Sequence, residues 1–164
     1  MNALPYLTGY TDEIRDQASA LLMSGELGVR LAERYPDRHE VRSSKDLRQF
    51  VGELKAKCMR TAPPLGRVAF DDRLHAIHGA LGVHTTTTRV QGTKLRKRRE
   101  VRIASLFKDT PPEFLRMIVV HELAHMKHSE HDRDFYRLCT FMEPDYHQLE
   151  LDLRLYLTAA EWSG

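Results

Sequence analysis

The stretch Thr110-Pro111-Pro112-Glu113-Phe114-Leu115-Arg116-Met117-Ile118-Val119-Val120-His121-Glu122-Leu123-Ala124-His125 decides how this sequence is read. Thr110-Pro111-Pro112-Glu113 has the form of a capping box, with a proline at the first helical position, where no amide donor is missed. The apolar residues that follow cover most of a helix circumference, so this helix should run through the interior. Its last turn carries His121-Glu122-Leu123-Ala124-His125. Residues four apart lie on one helical face, one turn above the other. Two imidazoles so placed can converge on one ion at about 2.0–2.1 Å each. Glu122 lies about 100° further round the helix and can reach a zinc-bound water without ligating the metal. Zinc lowers the pKa of that water to about 7, and the carboxylate can take its proton during attack on a carbonyl. The pattern is that of the helical zinc proteases. The competing reading is a pair of satisfied core histidines beside a paired glutamate, but titratable groups on so apolar a helix need a partner, and zinc supplies one.

A catalytic zinc site takes three protein ligands and keeps one position open. His128 and His131 are both candidates for the third. On a continuous helix His128 lies about 10.5 Å along the axis from His121, a poor reach for the same ion. His131 would lie about 15 Å along and about 80° away, so it can ligate only if the helix ends first. Residues 127–134 contain no apolar side chain to anchor a further buried turn. His131 is therefore the expected third ligand, and His128 an exposed or supporting residue. One zinc ion per chain follows.

The tract from Phe114 to His125, with His131 and Phe135-Tyr136 after it, resembles the YgjP-like metallopeptidases, relatives of the SprT-like and WLM groups. The resemblance extends to Ala62-Pro63-Pro64, Thr88-Arg89-Val90-Gln91-Gly92 and Met142-Glu143-Pro144. It implies zinc ligation by His121, His125 and His131, with Glu122 as catalytic base. It also implies a zincin-like α+β fold with a sheet edge beside the active-site helix.

Outward from this helix, the chain divides into helical, strand-forming and helical parts. Ile14, Ala18, Leu21 and Leu22 share one helical face, as do Leu47, Phe50, Val51 and Leu54. Pro63-Pro64 closes that region. Val68-Ala69-Phe70, the threonine-rich Val83 to Val90, and Val101, Ile103 and Phe107 are strand candidates. Gln91-Gly92-Thr93-Lys94 offers a hairpin connection between the last two. Beyond the polar run, a helix spans about Arg133 to Met142, and Asp145 and Gln148 open a last amphipathic helix. The expected architecture is a single α+β domain over 1–164. Its parts are a mainly helical 1–62, a small and mostly antiparallel sheet in 66–108, and the active-site and C-terminal helices in 111–161.

Composition bounds the function. With 164 residues, 41% of them hydrophobic and 29% charged, the chain has the balance of a globular domain. No apolar run approaches the roughly 20 residues that span a bilayer, and the first residues lack the form of a secretory signal. Cys58 and Cys139 have neither metal-binding spacing nor a disulfide framework, so a cytoplasmic protein is expected. His84, Tyr136, Tyr146 and His147 are each capable of donating to an oxyanion, although a packing role is the favoured reading. His39, His75 and His78 read as surface or local structure.

The leading expectation is a zinc metallopeptidase acting on a protein or peptide. Hydrolysis of a non-peptide amide and a nucleic-acid-associated module with structural zinc are the alternatives. The last draws on Arg89, Lys94, Arg96, Lys97, Arg98, Arg99 and Arg102, seven cations in fourteen residues opposed only by Glu100. Such a run is commonly a solvated face, and otherwise suits nucleic acid or an acidic partner. Neutralising Lys94, Arg96, Lys97, Arg98 and Arg99 should leave zinc content unchanged and weaken any nucleic-acid binding measured by a salt titration. Wild-type protein with no salt-sensitive binding to single- or double-stranded nucleic acid removes this partner.

Overall fold

A computed structural model describes residues 4–74, 88–91, 94–97 and 100–162. Thr11 caps α1 (Asp12–Ser24) by accepting from the Ile14 amide. Gly25 then adopts a left-handed conformation at φ 77°, where an L side chain would be strained, and turns the chain into α2 (Glu26–Arg34). The pair Leu27 and Leu31 buries one face of α2. In α3 (Ser44–Cys58), Ser43 and Asp46 form a reciprocal capping box, and Leu47, Val51 and Leu54 face inward.

The strand region departs from expectation. β1 (Val68–Asp71) pairs in parallel with β4 (Val101–Ala104), with Val68 opposite Val101 and Asp71 opposite Ala104. β2 (Thr88–Gln91) pairs antiparallel with β3 (Lys94–Lys97), a strand that sequence reasoning did not anticipate. The mostly antiparallel sheet expected beside the active-site helix is thus corrected: the pair that packs there is parallel. The physical reason is that the hairpin closes early, with Gln91 already opposite Lys94, and so leaves β4 available to β1. The long connection 72–100 lets those two strands run in the same direction. Phe107, expected on a strand, lies instead in the 3-10 turn Ser105–Lys108 and is fully buried. Residues 83–87, 92–93 and 98–99 lie outside the described residues.

The helix α4 (Pro112–Ala124) occupies the middle of the molecule, packed against β4 on one side and against α5 (Arg133–Met142) and α6 (Tyr146–Glu161) on others. Ten of its thirteen residues are buried, as an all-round apolar helix requires. Its start differs from the expected capping box. Pro111 is the N-cap residue, and the Thr110 hydroxyl donates to the carbonyls of Phe107 and Pro111 rather than accepting from a helix amide. The helix begins one residue too late for Thr110 to cap it. Asp145 likewise makes no side-chain cap to α6, and Gln148 donates to Asp152 instead. Among the described residues, no helix is long and apolar enough to cross a membrane.

Because the capping box of α3 is formed, Ser43→Ala should lower the unfolding free energy by about 1 kcal/mol in urea titration. A variant as stable as wild type contradicts the assigned cap.

Candidate metal centre

The end of α4 builds the site. His125 is the C-cap residue, still right-handed (φ −64°, ψ −16°), and its amide bonds to the His121 carbonyl at 3.2 Å. The next amides tighten the last turn: Met126 bonds back to Leu123, and both Lys127 and His128 bond to Ala124. The helix stops there. The chain then reverses through 129–132, and Asp132 starts α5 by accepting from the Phe135 amide at 2.9 Å. This reversal returns His131 to the two helical histidines.

The three imidazoles converge through their Nε2 atoms. His125 Nε2 lies 3.2 Å from His121 Nε2 and 3.0 Å from His131 Nε2, and ligand atoms of all three residues lie within 4.8 Å of one another. Three nitrogens each about 2.0–2.1 Å from a tetrahedral zinc would stand about 3.3–3.4 Å apart, close to the two separations measured from His125 Nε2. The opposite ring nitrogens are engaged. His125 Nδ1 donates to the His128 carbonyl at 3.0 Å, and His121 Nδ1 meets the Tyr146 hydroxyl at 2.7 Å. With its proton on Nδ1, neutral His125 presents a bare Nε2 lone pair to two other nitrogens. A hydrogen-bonding proton serves one such neighbour, whereas a cation serves all three. The donor set therefore fits a divalent metal that accepts imidazole, zinc above all.

Phe135, fully buried on α5, backs all three rings, with centroid distances of 5.1 Å to His121, 4.5 Å to His125 and 5.0 Å to His131. His121 and His125 are 6% and 7% exposed, while His131 is exposed, so the centre opens to solvent on the His131 side. Glu122 follows His121 on α4 and is 2% exposed. A carboxylate so deep in an apolar helix requires interacting groups around it.

Other candidates separate. The side chain of His128 is not part of the cluster, and that residue contributes its carbonyl to His125. Tyr146 is fully buried with its hydroxyl committed to His121 and Glu150, which removes it as an oxyanion donor. Burial, reinforced by the Glu150 charge, pushes its phenol far above the ordinary range. Tyr136, half-buried, lies 6.3 Å from the His131 ring and 5.2 Å from that of exposed His147, at the open side of the centre. His39, expected at the surface or in local structure, makes one local and one long-range contact: Nδ1 accepts from the Val41 amide, and Nε2 donates to the Phe107 carbonyl 68 residues away. His75, His78 and His84 lie outside the described residues.

Cys139 is buried and its thiol is pushed up to about 12 by burial, which disfavours the thiolate that metals bind. Both cysteines are free. Arg102, counted with the cationic tract, forms an ion pair with Asp71 across the β1–β4 pair and is thereby committed to the fold. Of the other six cations, Arg89, Lys94, Arg96 and Lys97 lie on β2 and β3, and Arg98 and Arg99 fall outside the described residues.

The sequence marked Phe135 only as part of the family tract and Tyr146 only as an oxyanion candidate, and it did not mark Glu150. The packing of Phe135 on the imidazoles and the Tyr146–Glu150 pair behind His121 come from the structure. The only local signal is the four-residue spacing of Tyr146 and Glu150, which says nothing about a histidine on another helix.

Residues 37–156 match the family described as YgjP-like, metallopeptidase domain. The chain is 48% identical over 158 residues to a protein of Escherichia coli (strain K12) named UTP pyrophosphatase, covering 96% of this chain and 95% of that protein. No solved structure gives a significant match.

The geometry separates the two downstream histidines in a metal-binding measurement. In competition against a chromophoric chelator, His131→Ala should lower zinc affinity by more than about tenfold, and His128→Ala, which keeps its carbonyl, by less than about threefold. Equal affinity in the His131 variant and wild type contradicts the assignment.

Proposed function

The chain belongs to the YgjP-like metallopeptidase domain family, and we propose that it is a zinc-dependent hydrolase with His121, His125 and His131 as ligands and Glu122 as general base. The convergence of the three Nε2 atoms carries this reading. When bound, zinc supplies Lewis-acid polarisation of the scissile group and brings water acidity near neutral pH, to a pKa of about 7. The chain's own part is the proton. The Glu122 carboxylate accepts it from the attacking water and returns it to the leaving atom. The imidazoles bind as neutral ligands, each turned by its own Nδ1 contact or by Phe135.

For the substrate, the reading with most of the chain behind it is a nucleoside triphosphate, hydrolysed at a phosphoanhydride bond. It rests on the name of a relative that is 48% identical over 96% of this chain. The cationic tract at 89–99 supports it, since clustered positive charge attracts a polyanion. In this reaction the water oxygen bonds to phosphorus, the bridging P–O bond breaks, and the phosphate fragment leaves. Peptide hydrolysis is the second reading, favoured by the family's description as a metallopeptidase domain. It uses the same base and the same ligands on a carbonyl. The same cationic tract would serve any association with nucleic acid. That Cys58 and Cys139 are both free supports action in the cytoplasm, where thiols stay reduced.

Zinc-loaded protein should release phosphate or pyrophosphate from UTP, lose that activity to a chelator, and regain it with zinc. Glu122→Gln should lower turnover by about 10²–10⁴-fold while keeping zinc. Cleavage of a peptide library with no turnover of UTP shifts the assignment to peptidase. Full activity in the Glu122 variant overturns the role of that residue in both readings.

A further inference from the structure

The site's least expected feature is what stands behind His121. On α6, Tyr146 and Glu150 lie one turn apart, and the Tyr146 hydroxyl contacts Glu150 Oε2 at 3.1 Å and His121 Nδ1 at 2.7 Å. The hydroxyl has one proton to give. The Cys139 thiol also lies within hydrogen-bond reach of the phenol. Of these three neighbours the carboxylate is the strongest acceptor, and hydrogen bonds to it are charge-assisted. The proton therefore goes to Glu150. The phenol oxygen then accepts from His121, which fixes the His121 proton on Nδ1 and leaves Nε2 bare towards His125 and His131. The ring centroids stand 6.4 Å apart across the 2.7 Å contact, so the two rings meet nearly end to end and the hydroxyl approaches along the direction in which the N–H points.

We infer that Tyr146 and Glu150 are positioning residues for the metal centre, a carboxylate–phenol–imidazole chain that sets the His121 tautomer and strengthens His121 as a ligand. The inference rests on the metal-binding part of the proposed function and is independent of the substrate. Negative charge at Glu150, passed through two hydrogen bonds, makes the His121 lone pair more basic and partly offsets the charge of a divalent ion held by three neutral imidazoles. His125 is set by a different device, the His128 carbonyl at the end of α4. One ligand thus depends on its own loop, and the other on a helix more than twenty residues further along the chain. The fully buried Tyr146 ring and the packing of α6 on α4 keep the chain in register.

The test uses Tyr146→Phe, Glu150→Gln and the double variant, with zinc affinity from chelator competition and the visible spectrum of the cobalt-loaded protein. Tyr146→Phe keeps the ring and should lower zinc affinity about tenfold, with a shifted cobalt spectrum and near-wild-type melting of the metal-free protein. Glu150→Gln should lower affinity less, because its amide oxygen still accepts from Tyr146. The double variant should be no weaker than Tyr146→Phe, since Glu150 acts through the phenol. Wild-type affinity and spectrum in Tyr146→Phe, or full additivity of the two changes, overturns the proposal. Should Tyr146→Phe fail to fold, Glu150→Gln decides alone: weaker zinc binding in a stably folded variant supports the chain, and unchanged binding ends it. Wild-type protein that binds no zinc overturns the metal reading itself, an outcome distinct from variants that bind as well as wild type.

Discussion

Everything at the candidate centre depends on one constraint: two imidazoles four residues apart must sit on the last turn of a buried helix, and that helix must then stop. A longer α4 would carry His131 away along the axis, and a shorter one would lose the His121–His125 face. The stop falls at Ala124, the residue before His125. It also places the site at the carbonyl end of α4, where the helix dipole is negative and a cation is favoured. The contacts from Met126, Lys127 and His128 back into the last turn satisfy carbonyls that a helix end otherwise leaves open.

The surrounding fold holds this helix end still. β4 lies on one side of α4, with α5 and α6 on others, and each neighbouring helix contributes to the histidines. From α5 comes the Phe135 ring that touches all three imidazoles, and from α6 the Tyr146 hydroxyl behind His121. Two of the imidazoles are buried while the third is exposed, so the cluster is rigid on its inner side and approachable on its outer one. A hydrolytic site needs that asymmetry, because ligand geometry must be fixed while substrate comes and goes.

What was legible in the sequence was local. The His121–His125 spacing, the apolar circumference of α4 and the polar run after Met126 are all short-range patterns, and each has its counterpart in the structure. The convergence of His131 could be argued because the only alternative was a buried turn made entirely of polar residues. Pairings between distant segments left no such mark. The parallel β1–β4 pair joins strands some thirty residues apart, and β3 is hidden in Lys94-Leu95-Arg96-Lys97, whose cations mask any strand pattern. The expected cap at Thr110 failed for a similar reason: the motif was present, but the start of the helix was set by the two prolines. Tyr146 read as core, and is core, yet its hydroxyl also reaches a histidine that no spacing rule connects to it.

The family description points to peptides and a close relative's name points to UTP, but both chemistries ask the same of these residues: three neutral imidazoles and a carboxylate that moves a proton. The central claim is therefore the three-imidazole metal centre. X-ray absorption at the zinc K-edge of the loaded protein tests it most directly. The account predicts nitrogen or oxygen neighbours at about 2.0–2.1 Å, outer-shell scattering of three imidazoles, and no sulfur. A sulfur neighbour at about 2.3 Å, or fewer than three imidazoles, would contradict it.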